Sequence, residues 1–340
     1  MRATGRLPAI LAATLLLAVA GQAKAADAEV AGNEAKPEAQ KNPWRGSALT
    51  YEHSFSALSL DRGADPDYNP YYVQSLVLRP EWHFGDQLYV RGNWIVEQEL
   101  TVNDDYNAPH ELVVSDLQVD VGAAGWTEER TGVRISGGLR IGLPVSEKSA
   151  AEQLRFSVAP GFNLSKKFDV LEGLVVGYQG RYTYNVRKYE TVQYDGPRVL
   201  CRPGEDCDQY SNTGRRTANW ALGHGPSVAL SATDKLAFAT FYSHSRARLY
   251  DSADLEVRDK ADGRVLTTLD GGGGYNWRDS EWFGLEAAYQ VIDSVGVAVG
   301  VNTVQPQKQP DGEDYPRFFN RLTAFYLDVN IDVDAVTQLF

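Results

Sequence analysis

Cysteine is almost missing from this chain: 340 residues contain only Cys201 and Cys207. Both lie in a polar stretch with no histidine nearby. A structural metal site needs more Cys or His at ligand spacing, so none is expected here, nor any cofactor. In an oxidising compartment the pair would instead close a small local disulfide loop, stiffening its tip without holding the fold. Long apolar runs are missing too. Beyond the N-terminus nothing approaches the roughly twenty apolar residues a spanning helix requires, so membrane crossing by helices is excluded. Cations are in deficit, with 33 Lys+Arg against 45 Asp+Glu and a formal charge of −12. Nucleic acid prefers a basic surface and is therefore not an expected partner. Histidine, the usual general base, occurs 5 times.

The N-terminus has the features of an export signal across residues 1–25. Arg2 and Arg6 form a positive start, Leu7 to Ala20 an apolar core, and Ala23-Lys24-Ala25 a small-x-small cleavage site. The apolar run is too short for a helical anchor. Removing the signal would take away three cations and move the charge from −12 to −15. Residues 26–45 are rich in Ala, Glu, Lys and Pro without periodicity and are expected to be a disordered periplasmic leader. One domain is expected over residues 46–340.

What fills that domain is strict alternation. Side chains on a strand alternate faces with a period of two. Near the start, Leu49, Tyr51, His53 and Phe55 oppose Glu52 and its even-numbered neighbours. In the second stretch Leu76, Leu78, Trp82 and Phe84 oppose Ser75, Arg79, Glu81 and His83. In the third Leu88, Val90, Trp94 and Val96 oppose Arg91, Asn93, Glu97 and Glu99. The fourth sets Val113, Leu117, Val119 and Val121 against Asp116, Gln118 and Asp120. The fifth sets Val133, Ile135, Leu139 and Ile141 against Arg134 and Arg140. Arg155 marks the polar face of the sixth, and Arg181 that of the seventh, opposite Tyr178, Tyr182 and Tyr184. Small residues (Ala221, Gly223, Gly225, Ser227) form the polar face of the eighth. The ninth, residues 235–249, is ambiguous in parity near its end. Glu286 belongs to the tenth and Gly296, Ala298 and Gly300 to the eleventh. In the twelfth Phe325, Leu327, Val329, Ile331 and Val333 oppose Tyr326, Asp328, Asn330 and Asp332.

Connections alternate as well. Long polar ones follow the odd-numbered strands at 58–71, 101–111, 144–152, 188–216, 250–280 and 305–317. Mostly tight turns such as Gly85-Asp86, Thr233-Asp234 and Asp293-Ser294 follow the even-numbered ones. On these features the chain resembles the outer-membrane β-barrel proteins of Gram-negative bacteria over nearly all of residues 46–340. The resemblance implies an all-β, transmembrane, antiparallel up-and-down barrel of about 12 strands, with short periplasmic turns, long extracellular loops and a location in the cell outer membrane. Chains of this class usually end on an aromatic residue, as this one does at Phe340. The apolar face of the last strand is odd-numbered, whereas Phe340 is even, so either a bulge near Asp334 shifts the register or the last residues leave the wall.

In a barrel the apolar faces meet lipid and the charged faces line the lumen. The expected lining charges are Glu52, Arg79, Glu81, Arg91, Glu97, Asp116, Asp120, Arg134, Arg140, Arg155, Arg181, Glu286, Asp328 and Asp332. Acids gather on strands four and twelve and bases on five to seven. A transverse field of that kind would orient dipolar solutes and select ions, and the loops at 188–216 and 250–280 would gate the outer mouth. The same charges could instead form a salt-bridge network closing a structural or surface-interaction barrel. A hydrolase is a third reading, resting on His244 between Ser243 and Ser245 near the long-loop rim. Acidic loops (Asp61, Asp65, Asp67; Asp104, Asp105; Asp311, Glu313, Asp314) could attract divalent cations, without the spacing of a calcium loop.

Overall fold

A computed structural model describes residues 42–57, 72–101, 110, 112–194, 211–250, 255–258, 265–269, 276–305 and 314–337. The export signal, nearly all of the leader, the Cys201–Cys207 pair, Phe340 and most of the acidic loop residues lie outside them.

In chain order the strands are β1 (Ala48–Ser56), β2 (Tyr72–Arg79), β3 (Glu81–Phe84), β4 (Leu88–Glu99), β5 (Leu112–Val114), β6 (Leu117–Thr127), β7 (Val133–Leu143), β8 (Leu154–Phe168) and β9 (Gly173–Arg187). They continue with β10 (Thr191–Tyr194), β11 (Ser211–Arg216), β12 (Ala218–Ser231), β13 (Leu236–Leu249), β14 (Leu255–Arg258), β15 (Val265–Leu269), β16 (Trp277–Ile292), β17 (Val295–Gln305) and β18 (Thr323–Asp332). Two staves are each split into two strands. Pro80, which has no N–H to give a ladder, separates β2 from β3. Residues Ser115 and Asp116 separate β5 from β6. Counted this way the wall is a closed antiparallel barrel of 12 staves. Closure runs through β1, which pairs with β18 from Ala48↔Asp332 to Ser56↔Ala324 and with β2 on its other side. The circuit is completed where β2 meets β4. Among the described residues every stave has a ladder partner on both sides; an open edge in lipid would cost several kcal/mol for each orphaned backbone group. The hairpins β10–β11 and β14–β15 project from the two longest connections.

The outer surface is apolar. Leu76, Leu139, Val176, Leu222, Leu285, Val299 and Leu327 are all exposed on it. Exposed aromatics flank them at both ends: Trp82, Phe84, Trp126, Phe162, Phe168 and Tyr289 toward the short turns, and Tyr72, Phe156, Tyr182, Tyr184, Phe318 and Phe319 toward the long loops. Covering one such side chain is worth about 1.5–3 kcal/mol. A belt this large is stable only against hydrocarbon, and paired aromatic girdles mark its two interfaces. The molecule is an outer-membrane β-barrel, crossing the membrane by strands.

The first and last described segments, 42–47 and 333–337, meet on the short-turn rim. Asn42 Nδ2 donates to Asp334 Oδ1 at 2.6 Å, Trp44 Nε1 to Thr337 Oγ1 at 3.3 Å, and the Val333 amide to the Ser47 carbonyl at 3.0 Å. Of the two routes for the terminus, the chain takes exit from the wall: Val333–Thr337 is a one-turn helix capped by Asp332, whose Oδ1 accepts from the Asp334 and Ala335 amides.

One face assignment changes. Val113 pairs with Glu97, an inward position, and not with the outer face expected for it. The cause is a register shift: Val96 opposes Val114, whereas Asn93 opposes Gln118, leaving one extra residue at Ser115–Asp116. Such a bulge reverses the faces on either side of it. The ambiguous ninth stave is settled with Phe241, Ser243, Ser245 and Ala247 inward, since they oppose inward Gly284, Trp282, Ser280 and Arg278 on β16.

Candidate functional site in the barrel lumen

The inner wall divides into two arcs. One comprises β13, β16, β17, β18, β1, β2 and β4, and is tightly filled. A continuous cross-strand row carries Glu97, Ser75, Glu52 and Asp328, each opposite the next. Their exposures run from 2% to 9%. One step along β18, the Tyr326 hydroxyl donates to Glu286 Oε2 at 3.1 Å. Arg79 is the cation within electrostatic range of Glu52, Asp328 and Glu286, yet its Nε and Nη2 have no protein partner. Apolar groups complete the filling: Val77 against Ile95, and Phe241 edge-on to Trp282 at 6.1 Å beside Val304. These large rings face glycines. A Cβ on Gly284 would sit 2.2 Å from the Phe241 ring, and one on Gly300 2.2 Å from the Tyr326 ring.

Next to this arc, charges cancel between neighbours. Asp120 and Arg140, directly opposed on β6 and β7, form a two-pronged pair at 2.7 and 2.8 Å. Glu81 binds the Arg91 guanidinium and takes His83 Nε2 at 2.7 Å, while its backbone is tied to the Ser47 hydroxyl. Glu81 therefore anchors the seam beside the first stave.

The second arc, β8, β9 and β12, is the more open one, although Ala159, Gly177 and Gly225 on its inner face are buried. Its inward positions include Ser157, Gly161, Asn163, Gln179, Thr183, Gly223 and Ser227, all half-buried. A Cβ on Gly223 would find nothing nearer than Ser245 Oγ at 4.0 Å. Arg181 and Arg187 are cations of this arc; Arg181 lies over Gly161, and its Nε has no hydrogen-bond partner in the protein.

The expected lining charges thus go to different places. Glu52, Arg79, Glu97, Glu286 and Asp328 form one group. Arg91 and Arg140 stand in neighbour pairs with Glu81 and Asp120, and Arg181 faces the open arc. Arg134 lies over Gly125 near the short turns, and Arg155 is exposed at a register break between Leu154 and Phe156. Asp116 binds the β7–β8 connection, and Asp332 caps the terminal helix. Uncharged inner groups escaped a reading based on charge: Asn93, 4% exposed with both amide atoms unpartnered, and the inward rings of Phe241, Trp282 and Tyr326. Strand parity already put Asn93 and Tyr326 on the polar face, and nothing local in the sequence marks Phe241 as facing inward.

His244 points outward. It faces His224 across the pair at 5.7 Å and lies 3.9 Å from Glu281, while Ser243 and Ser245 point into the lumen. The backbone separates the histidine from both hydroxyls. Among the described residues no three His, Cys, Asp or Glu side chains converge as a metal-ligand set.

The barrel is similar in fold to an outer membrane channel from Pseudomonas putida F1, with 8% identity, a TM-score of 0.50, and coverage of 88% of this chain and 99% of that one. Fainter likenesses are to the NanC porin (11% identity, TM-score 0.41, 84% and 98% covered) and to LpxR from Salmonella typhimurium (12%, 0.39, 84% and 99%). No protein-family model and no curated protein sequence matches the chain.

Proposed function

We propose that this barrel is an outer-membrane pore through which small polar solutes or ions diffuse, with the path running along the β8–β9–β12 arc. The observation that supports this reading is the contrast in the lining: small, half-buried inward residues on that arc, against a filled wall opposite. Unpartnered polar atoms support it too. Leaving a buried group such as the Asn93 amide unsatisfied costs about 1–3 kcal/mol, a cost that a water molecule bound inside the barrel would offset. The P. putida channel demonstrates that a barrel of this fold can house a conduit.

The mechanism is passive. Solutes pass between the Arg181 guanidinium and the carboxylates of Glu52, Glu97, Glu286 and Asp328, whose opposed signs orient dipoles and bias ion choice. Neighbour pairing of Arg91 and Arg140 removes them from that field, so Arg181 carries the positive side. Reconstitution into planar bilayers tests the reading: steady single-channel steps are expected. A correctly folded barrel, verified by gel heat-modifiability, that stays electrically silent would overturn it. That outcome would favour the closed structural barrel, a reading supported by the filled arc. The hydrolase reading loses its serine–histidine pair, because His244 and its flanking serines face opposite sides of the wall.

A further inference from the structure

We propose that residues 144–153, the connection from β7 to β8, form a fixed constriction at the long-loop mouth, clasped by Asp116 from one side and Arg187 from the other. This inference rests on the lumen being a pore. Asp116 sits in the bulge between β5 and β6, two residues before inward Gln118. Its carboxylate accepts from the Val145 amide at 3.2 Å, the Ser146 amide at 3.0 Å and the Ser149 hydroxyl. Ser146 in turn caps the one-turn helix Glu147–Ala151 by accepting from the Ser149 amide at 3.1 Å. At the other end Arg187, on the same face of β9 as Arg181, reaches Glu152 Oε2 at 2.7 Å and the Glu152 carbonyl at 3.2 Å. The Lys188 amide adds a bond to the Gln153 carbonyl at 2.9 Å.

The geometry has a direction. β7 and β8 carry the loop, and the staves on either side of them, β6 and β9, hold it. Both holding groups come from the inner side of the wall, so the loop is drawn over the lumen and not splayed outward. Two features confirm the tethering: Ser149 is 6% exposed although it belongs to a loop, and Gln153 is held at φ +50°. The helix lies beside β10, which connects the constriction to the hairpin above it. Hydrogen bonds with an ionised partner are short and directional. Five such bonds, three on Asp116 and two from the Arg187 guanidinium to Glu152, make this a strap and not a mobile lid.

The test compares wild type with Asp116→Ala, Arg187→Ala, the double variant and Ser149→Ala, all checked for heat-modifiability. Single-channel conductance and amide hydrogen exchange of residues 145–152 are measured on each. Removing either clasp should raise conductance roughly 1.5-fold or more and accelerate exchange of the Val145 and Ser146 amides about tenfold. Ser149→Ala leaves the wall untouched and should move both in the same direction by less. Faster exchange with unchanged conductance would overturn the constriction, as would changed conductance with unchanged exchange. Silence in every protein would overturn the pore reading itself. Silence in wild type with conduction in the clasp variants would support a strap that shuts the mouth.

Discussion

The filled arc and the open arc share one backbone architecture and differ in what stands on it. On β16 and β17, Gly284 and Gly300 are each overlain by a neighbour's ring; on β12 Gly223 faces space, although a Cβ on Gly225 would strike the Tyr242 carbonyl. The same residue type thus serves opposite ends. Opposite Phe241 and Tyr326, glycine makes room for bulk. At Gly223 it leaves a channel unobstructed. A wall built wholly in the first manner would be a solid rod, and one built wholly in the second would lack the buried contacts that hold staves together.

This contrast can be broken at several points. The largest effect is expected in the filled arc. Gly300→Ala drives a Cβ into a Tyr326 ring that Glu286 already holds in place, an overpacking of about 1–3 kcal/mol. Urea unfolding in lipid vesicles should show an earlier midpoint, and an unchanged midpoint would mean the ring is free to move. Next comes Gly223→Phe, which should fold normally and cut single-channel conductance by roughly half or more. Full conductance would place the path elsewhere. Arg181→Glu should shift the reversal potential in a salt gradient toward cations, while Arg140→Gln, removed from the field by Asp120, should shift it less; equal shifts would contradict the pairing argument.

The smallest effect is at the β6–β7 turn. Glu128 accepts from the Thr131 hydroxyl at 2.5 Å, the Thr131 amide at 2.6 Å and the Arg130 amide at 3.0 Å, which hold its carboxyl below the usual range. A folded-state pKa below the unfolded one gives a contribution present above the unfolded value and lost as pH falls through the folded one. Intrinsic exchange slows in acid, so it must be divided out. The corrected protection of the Thr131 amide should then decline as pH drops below that of an ordinary carboxylate. Glu128→Gln should flatten the profile, and a profile unaltered by that substitution would exclude the carboxylate as its cause.

Much of this architecture was legible in advance. Period-two alternation assigned the faces of β1, β4, β17 and β18, and the sorting of connections by length separated the two rims. What stayed hidden has a common cause. Alternation reports which side a residue faces only while the register runs unbroken, and one extra residue at Ser115–Asp116 was enough to turn Val113 inward. Nor does parity say how much of the interior is filled. Phe241 lines the lumen because Gly284 on the opposing strand makes room for it, a fact about a pair of distant positions. Asp116 shows the same limit. Parity put it among the lining charges, but its partners belong to a connection about thirty residues further along the chain.

The joined ends at the short-turn rim have a further implication. Since Asn42 touches Asp334 and the first stave lies beside the last, a short peptide could link those ends covalently. New termini could then be opened within any of the long loops while every stave kept its two neighbours. Such a rearranged chain would synthesise its staves in a different order yet converge on the same closed wall, making the barrel a natural subject for asking whether the order of insertion matters.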